Sequence, residues 1–223
     1  MNSELRARLP LPEHATRFWW VRHATVPEVG TRMYGSLDVD CDTSDTALFE
    51  RVAARLPIDA TWVTSTLRRT RQTADALVAA GARPGARHET ADIAELDFGD
   101  YNGMEHHELL ALRQDPFLGF WPLSPHEQAP NGESFTMLTD RVRRFVGEMQ
   151  REHAGHDVVC VSHRGTILAA LQIALELPLT TSVAFDIGNV SLTRLVHHAD
   201  VPEGGPFYRV GEVGWLPHPP HAS

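Results

Sequence analysis

The sequence predicts an α/β protein, a three-layer α/β/α sandwich with a mostly parallel central sheet. Two observations carry that prediction. Compact apolar runs of strand length, such as residues 18–21 and 158–161, end abruptly in polar residues, and segments of helical periodicity alternate with the strands. A chain of 223 residues with 42% hydrophobic and 22% charged residues can bury one substantial core and needs no second domain. The expected organisation is a flexible segment over residues 1–17, one domain over 18–213 and a flexible tail over 214–223.

The elements follow in order. Phe18, Trp19, Trp20 and Val21 form a first strand that delivers Arg22 and His23 at its carboxyl end. Ser44 or Asp45 caps a helix whose Leu48, Val52 and Leu56 recur at helical spacing until Pro57 stops it. Residues 61–64 read as a second strand and 67–80 as a helix ended by Gly81. A strand over 87–90 and a loop with Phe98, Gly99 and Gly103 come next, then a short helix and a surface excursion over 116–130, rich in proline and aromatics. Phe135, Leu138, Val142, Phe145, Val146 and Met149 share one face of a long helix within 132–153. The strand 158–161 repeats the first layout, ending in Ser162-His163-Arg164-Gly165 before the apolar helix 166–175. Residues 183–186, 191–197 and 207–210 read as strands, with turns at Gly188 and Glu203-Gly204-Gly205-Pro206. Trp19, Trp20, Trp62 and Trp121 are core or lid material, with Trp121 at the entrance to a site.

Composition narrows the partners. A formal net charge of −9 argues against nucleic acid and against an anionic membrane, both of which need a basic surface. No apolar run approaches the roughly 20 residues that cross a bilayer, and residues 1–17 hold no signal-like stretch, so a cytoplasmic location is expected. Cys41 and Cys160 are expected to stay unpaired, Cys160 as a small buried hydrophobe. The pairs His106-His107 and His197-His198 lack a third ligand at metal spacing and read as exposed; no metal and no cofactor are expected.

Ligands of such folds bind beyond the carboxyl ends of the strands, which gathers Arg22-His23, Ser65 with Arg68 and Arg69, and Ser162-His163 at one sheet edge. A phosphate monoester carries about −1.5 to −2 charges at neutral pH, so it repels anionic nucleophiles and suits fixation by two guanidinium groups. Arg22 and Arg69 are the candidates for that fixation. His23 then serves as a neutral nucleophile, its second nitrogen donating to a carbonyl that fixes the tautomer. Glu95 is the carboxyl expected to protonate the leaving oxygen and later activate water. His163 is expected to act as an imidazolium that donates to the transferring group. Arg68 and Arg71 read as surface charges, and Glu133 and Ser134 as residues that start the long helix.

Five segments resemble the motifs of the histidine phosphatase, or phosphoglycerate mutase-like, superfamily, in its order. They are Arg22-His23-Ala24; Ser65-Thr66-Leu67-Arg68-Arg69-Thr70-Arg71-Gln72-Thr73-Ala74; Glu95-Leu96-Asp97-Phe98-Gly99, followed by Tyr101-Asn102-Gly103; Pro130-Asn131-Gly132-Glu133-Ser134; and Val161-Ser162-His163-Arg164-Gly165. The resemblance covers residues 18 to about 197. It implies a phosphoglycerate mutase-like sandwich, a phosphohistidine intermediate, no metal, and the roles given above to Arg22, His23, Arg69, Glu95 and His163. Ala24 and Asn131 stand where the family has glycine, a change Asn131 tolerates if its φ is positive. Val26 and Val29 stand where it often has polar residues, which puts part of the phosphate contact in doubt.

Residues 104–129 are short where mutases of the superfamily carry an enclosing insertion, and an open site favours hydrolysis over transfer. The stretch Arg32-Met33-Tyr34-Gly35-Ser36-Leu37-Asp38 looks like the branch of α-ribazole phosphatases. The expected activity is phosphomonoester hydrolysis on a small phosphorylated metabolite, with α-ribazole 5'-phosphate one candidate and a homodimer admitted. The alternatives are a phosphoglycerate mutase-type phosphotransferase and a non-catalytic phospholigand sensor.

Overall fold

In the computed structural model, which describes residues 14–112, 121, 123–199 and 208–217, the apolar runs become the middle of one six-stranded sheet. The strands are β1 (Thr16–Arg22), β2 (Thr61–Ser65), β3 (Arg87–Thr90), β4 (Asp157–Ser162), β5 (Leu192–His197) and β6 (Tyr208–Trp215). Their spatial order is β3-β2-β4-β1-β5-β6. The first four run parallel, and β5 and β6 add an antiparallel edge. Of the helices, α1 (Thr46–Ala53) and α2 (Arg68–Ala79) follow β1 and β2. After β3 come α3 (His106–Ala111) and α4 (Phe135–Glu152), and after β4 come α5 (Arg164–Leu175) and α6 (Leu179–Ser182).

Side chains alternate between the two faces of a strand, and both faces here are covered. Phe18, Trp20, Val158 and Cys160 join a core with Leu138, Phe145, Ile167 and Leu171 from α4 and α5. Val21, Val159 and Val161 point the other way, to Val52, Trp62 and Leu77 beside α1 and α2. Two cores on opposite faces of one sheet make the three layers. Side-chain caps start the helices where expected: Asp45 Oδ1 accepts from the Leu48 amide at 2.9 Å and Ser134 Oγ from the Met137 amide at 3.2 Å.

Several expectations change. Residues 183–186 form no strand: α6 occupies Leu179–Ser182, the Ala184 amide turns back to the Thr181 carbonyl, and Val183 is buried by packing rather than by pairing. Two elements also extend further than their apolar runs, β1 from Thr16 and β6 to Trp215. The turn expected at 203–206, most of the excursion over 116–130 and the ends of the chain lie outside the described residues. Cys41 and Cys160 are free thiols, as expected. Among the described residues, no helix is long and apolar enough to cross a membrane.

Candidate active site

The register of the sheet builds the site. β1 and β4 are parallel neighbours with Arg22 opposite Ser162, so the residues that follow, His23 and His163, emerge side by side with ring centroids 5.1 Å apart. Both are fully buried. The His23 amide donates to the Ser162 carbonyl at 2.9 Å, and Asn189 Nδ2 donates to the His23 carbonyl at 2.9 Å. The ring is set by its own neighbour: Nδ1–H donates to the Ala24 carbonyl at 2.7 Å, and Thr73 Oγ1 in turn holds the Ala24 amide at 2.8 Å. Nε2 is left buried with no hydrogen-bond partner among the described residues. Burial, then Arg69 and Arg22, hold the His23 imidazole well below its ordinary value of 6.5, against the opposing pull of the Ala24 carbonyl. His23 is therefore neutral, with its lone pair on Nε2.

His163 has the opposite wiring. Its Nδ1 accepts from Arg69 Nε at 3.2 Å, and its Nε2–H donates to Ser65 Oγ at 2.7 Å. Burial, then Arg69 and His23, push its pKa well below 6.5. This corrects the expected imidazolium: a guanidinium N–H aimed at Nδ1 leaves no room for a second proton there, and the unliganded site holds two neutral imidazoles.

Arg69 is fully buried on α2 and donates to the carbonyls of Leu37 at 2.6 Å and Gly35 at 2.7 Å, with its guanidinium carbon 5.1 Å from the centre of the Tyr34 ring. A guanidinium has five N–H groups, so two remain for a ligand. Arg22 Nη1 donates to the Ile187 carbonyl at 2.6 Å, while its Nε is buried with no hydrogen-bond partner among the described residues. The loop that runs on from 183–186, the segment expected as a strand, thus supplies the Ile187 carbonyl to the site.

Glu95 enters from the loop after β3. Its Oε1 accepts from the amides of Leu96 at 2.9 Å and Gly165 at 3.1 Å, the latter in the first turn of α5, which favours a carboxylate there. Arg141 on α4 clamps that loop, donating to the carbonyls of Asp92 at 2.9 Å, Ala94 at 2.8 Å and Glu95 at 3.1 Å. Glu133 pairs with Arg141 at 2.9 Å and accepts from the Asp97 amide at 3.2 Å. Its role is therefore not to start the helix, which Ser134 does. Gly99 and Gly132 bring the Glu95 loop against the start of α4 backbone to backbone: a Cβ on Gly99 would stand 1.9 Å from the Pro130 carbonyl oxygen, and one on Gly132 2.4 Å from that of Asp97. Between them Asn131 takes a φ of 57°, as its place in the motif requires.

Arg22 and Glu95 line a cleft of about 160 Å³ together with Tyr34, His106, Trp121 and Arg164, while His23, Arg69 and His163 are fully buried and are not among its walls. His106 is half-buried there, contrary to its reading as exposed, and so are His197 and His198 at the opposite end of the sheet, where His197 pairs with Thr16. Val26 and Val29 are buried, so they offer no polar contact. Arg68 pairs with Asp40 at 3.1 Å and Arg71 with Glu89 at 3.3 Å, both on the surface as expected. Among the described residues, no three His, Cys, Asp or Glu side chains gather in a metal-holding group. Reading the sequence missed Tyr34, Thr73, Arg141, Arg164 and Asn189 as site residues. Arg164, adjacent to His163 at the start of a helix, and Thr73, one turn after Arg69 on α2, carried a signal; the others act from loops and helices distant in sequence.

Comparison with known proteins agrees with this geometry. The chain is 31% identical over 115 residues to an adenosylcobalamin/α-ribazole phosphatase of Salmonella typhimurium, a match covering 51% of this chain and 55% of that protein. It is 30% identical over 100 residues to phosphoserine phosphatase 1 of Hydrogenobacter thermophilus, covering 44% and 47% respectively. The chain thus spans about half the length of the curated relatives it matches. Among solved structures, a mycobacterial glucosyl-3-phosphoglycerate phosphatase superposes with a TM-score of 0.73 at 26% identity, covering 88% of this chain and 97% of the other. The sequence profile of the histidine phosphatase superfamily, branch 1, matches residues 18–204, and the chain belongs to that family.

Proposed function

We propose that the protein is a metal-independent phosphomonoester hydrolase that works through a phosphohistidine at His23. The observation that carries this reading is the buried neutral ring of His23, with its unpartnered Nε2 under the influence of both Arg22 and Arg69. A phospholigand sensor needs the two arginines but not a nucleophile wired in this way.

The chemistry follows from the wiring. Arg22 and Arg69 hold the phosphoryl oxygens and spread their charge. The Nε2 lone pair of His23 attacks phosphorus; the bond from phosphorus to the ester oxygen breaks, and that oxygen takes a proton from the Glu95 carboxyl as the alcohol leaves. The Ala24 carbonyl, already bonded to Nδ1–H, stabilises the positive charge that develops on the ring. Glu95 then accepts a proton from water, whose oxygen attacks phosphorus. The P–N bond breaks, its electron pair returns to Nε2, and inorganic phosphate departs. The negative phosphoryl group also opposes the influence of Arg69 on His163, so the proton affinity of His163 rises when substrate binds.

The alcohol is a small metabolite. The relatives' names cover two kinds of leaving group: α-ribazole bears an aromatic base, whereas phosphoserine and glucosyl-3-phosphoglycerate bear a carboxylate beside the ester. α-Ribazole 5'-phosphate therefore belongs in the substrate panel beside phosphoserine and phosphoglycerate. Hydrolysis of p-nitrophenyl phosphate in EDTA, with an acid-labile, base-stable phosphoenzyme trapped on quenching, is the expected result. Phosphate binding without turnover would overturn the reading in favour of a sensor, and phosphate transfer between hydroxyls of phosphoglycerate in favour of a mutase.

A further inference from the structure

Of the guanidinium groups lining the cleft, Arg22 serves the phosphoryl group and Arg32 pairs with Glu105 at 3.3 Å. Arg164 has neither task. It opens α5 directly after His163; its Nη2 reaches the carbonyls of Val183 and Phe185 only at 3.4 Å each, and its guanidinium lies over the Trp121 ring at 5.2 Å. Contacts of that length are weak beside the 2.6 and 2.7 Å bonds that hold Arg69, and they occupy one nitrogen of three. Burial, then the neighbouring Arg22, disfavour the charge of Arg164; Glu95 favours it, as does Asp186, which is exposed and screened by water. A cation placed so, with no carboxylate in ion-pair contact among the described residues, is unusual unless a ligand supplies one.

We propose that Arg164 is a carboxylate subsite, so that the preferred substrates are phosphomonoesters whose alcohol carries a carboxylate close to the ester oxygen. The proposal rests on the phosphatase reading. Proximity comes from the chain: the next residue, Gly165, donates its amide to Glu95, the group that protonates that oxygen. The guanidinium carbon lies over the Trp121 ring at 5.2 Å, and a guanidinium fork matches a carboxylate through two parallel hydrogen bonds.

Matched pairs of esters test the idea: 3-phosphoglycerate against glycerol 3-phosphate, and phosphoserine against phosphoethanolamine. The carboxylated member of each pair is expected to be favoured in kcat/KM by roughly 10- to 100-fold, the worth of one charge-assisted contact. Arg164→Met, which keeps an apolar chain against Trp121, is expected to bring the ratio near one; Arg164→Lys, which keeps the charge but not the fork, retains part of it. A ratio near one in the unmodified enzyme overturns the subsite, as does a ratio that survives Arg164→Met, or a stronger preference for fructose 1,6-bisphosphate over fructose 6-phosphate. Turnover of p-nitrophenyl phosphate accompanies each measurement, so absence of all hydrolysis is recognised separately as failure of the phosphatase reading, and the subsite falls with it.

Discussion

His23 and His163 sit at the same depth, on neighbouring parallel strands, each at the point where its strand ends. Their environments hold both rings neutral for the same leading reason, removal from water. What separates them is hydrogen bonding. His23 spends one nitrogen on its own chain neighbour and keeps the other free, whereas His163 has both nitrogens engaged, one by Ser65 and one by Arg69. Residue type and burial therefore do not assign a role at this site; the partner of each nitrogen does. One ring keeps a nitrogen open, and the other accepts from the guanidinium of Arg69.

The strongest way to break this comparison is to remove each ring in turn. His23→Ala is expected to lower kcat by at least about 10³-fold and to abolish the trapped phosphoenzyme, because the nucleophile is gone. His163→Ala is expected to lower kcat by roughly 10²-fold, with a phosphoenzyme still detectable after rapid quenching, because only stabilisation of the phosphoryl charge is lost. Equal losses, or a phosphoenzyme that survives His23→Ala and vanishes with His163→Ala, would exchange the roles.

A gentler change sharpens it. Ser65→Ala removes the acceptor of the His163 Nε2 proton and leaves His23 untouched. Loss of one buried hydrogen bond, about 1 kcal/mol, predicts a fall in kcat of roughly fivefold and a ring of His163 that titrates differently by NMR while that of His23 does not change. A parallel change in both rings would show that the two are not wired separately.

The smallest effect is on stability. In the unfolded chain both rings titrate near 6.5; in the folded protein they take up protons only at lower pH. Between those values the unfolded state binds more protons, so their contribution to stability is complete above about 6.5 and is lost as pH falls toward the folded values. The slope is at most about 1.4 kcal/mol per pH unit for each ring. His197 and His198, also lowered, act in the same direction. Urea midpoints between pH 7 and 5.5 are expected to fall, less steeply for His163→Asn and less steeply again with phosphate bound. A flat profile would contradict the burial of both rings.

How far the sequence disclosed this arrangement depends on which force sets each part. The central strands were legible because two-sided burial demands unbroken apolar runs, as in Val158, Val159, Cys160 and Val161. Helix starts were legible because Asp45 and Ser134 cap with their own side chains. The run over 183–186 misled because one buried valine and a phenylalanine resemble a strand even where no neighbour offers hydrogen bonds. Arg22, His23, Arg69 and His163 were legible because strand ends and helix starts collect in space by topology alone. The clamp of Arg141 on the Glu95 loop was not, since its bonds go to backbone carbonyls at least 46 residues away, and such acceptors leave no mark on residue type.

The touching backbones at Gly99 and Gly132 tie the loop that carries Glu95 to the start of α4. Neither position has a side chain or chemistry of its own, yet together they set how closely the two segments meet. Even a single methyl group at either would force those backbones apart.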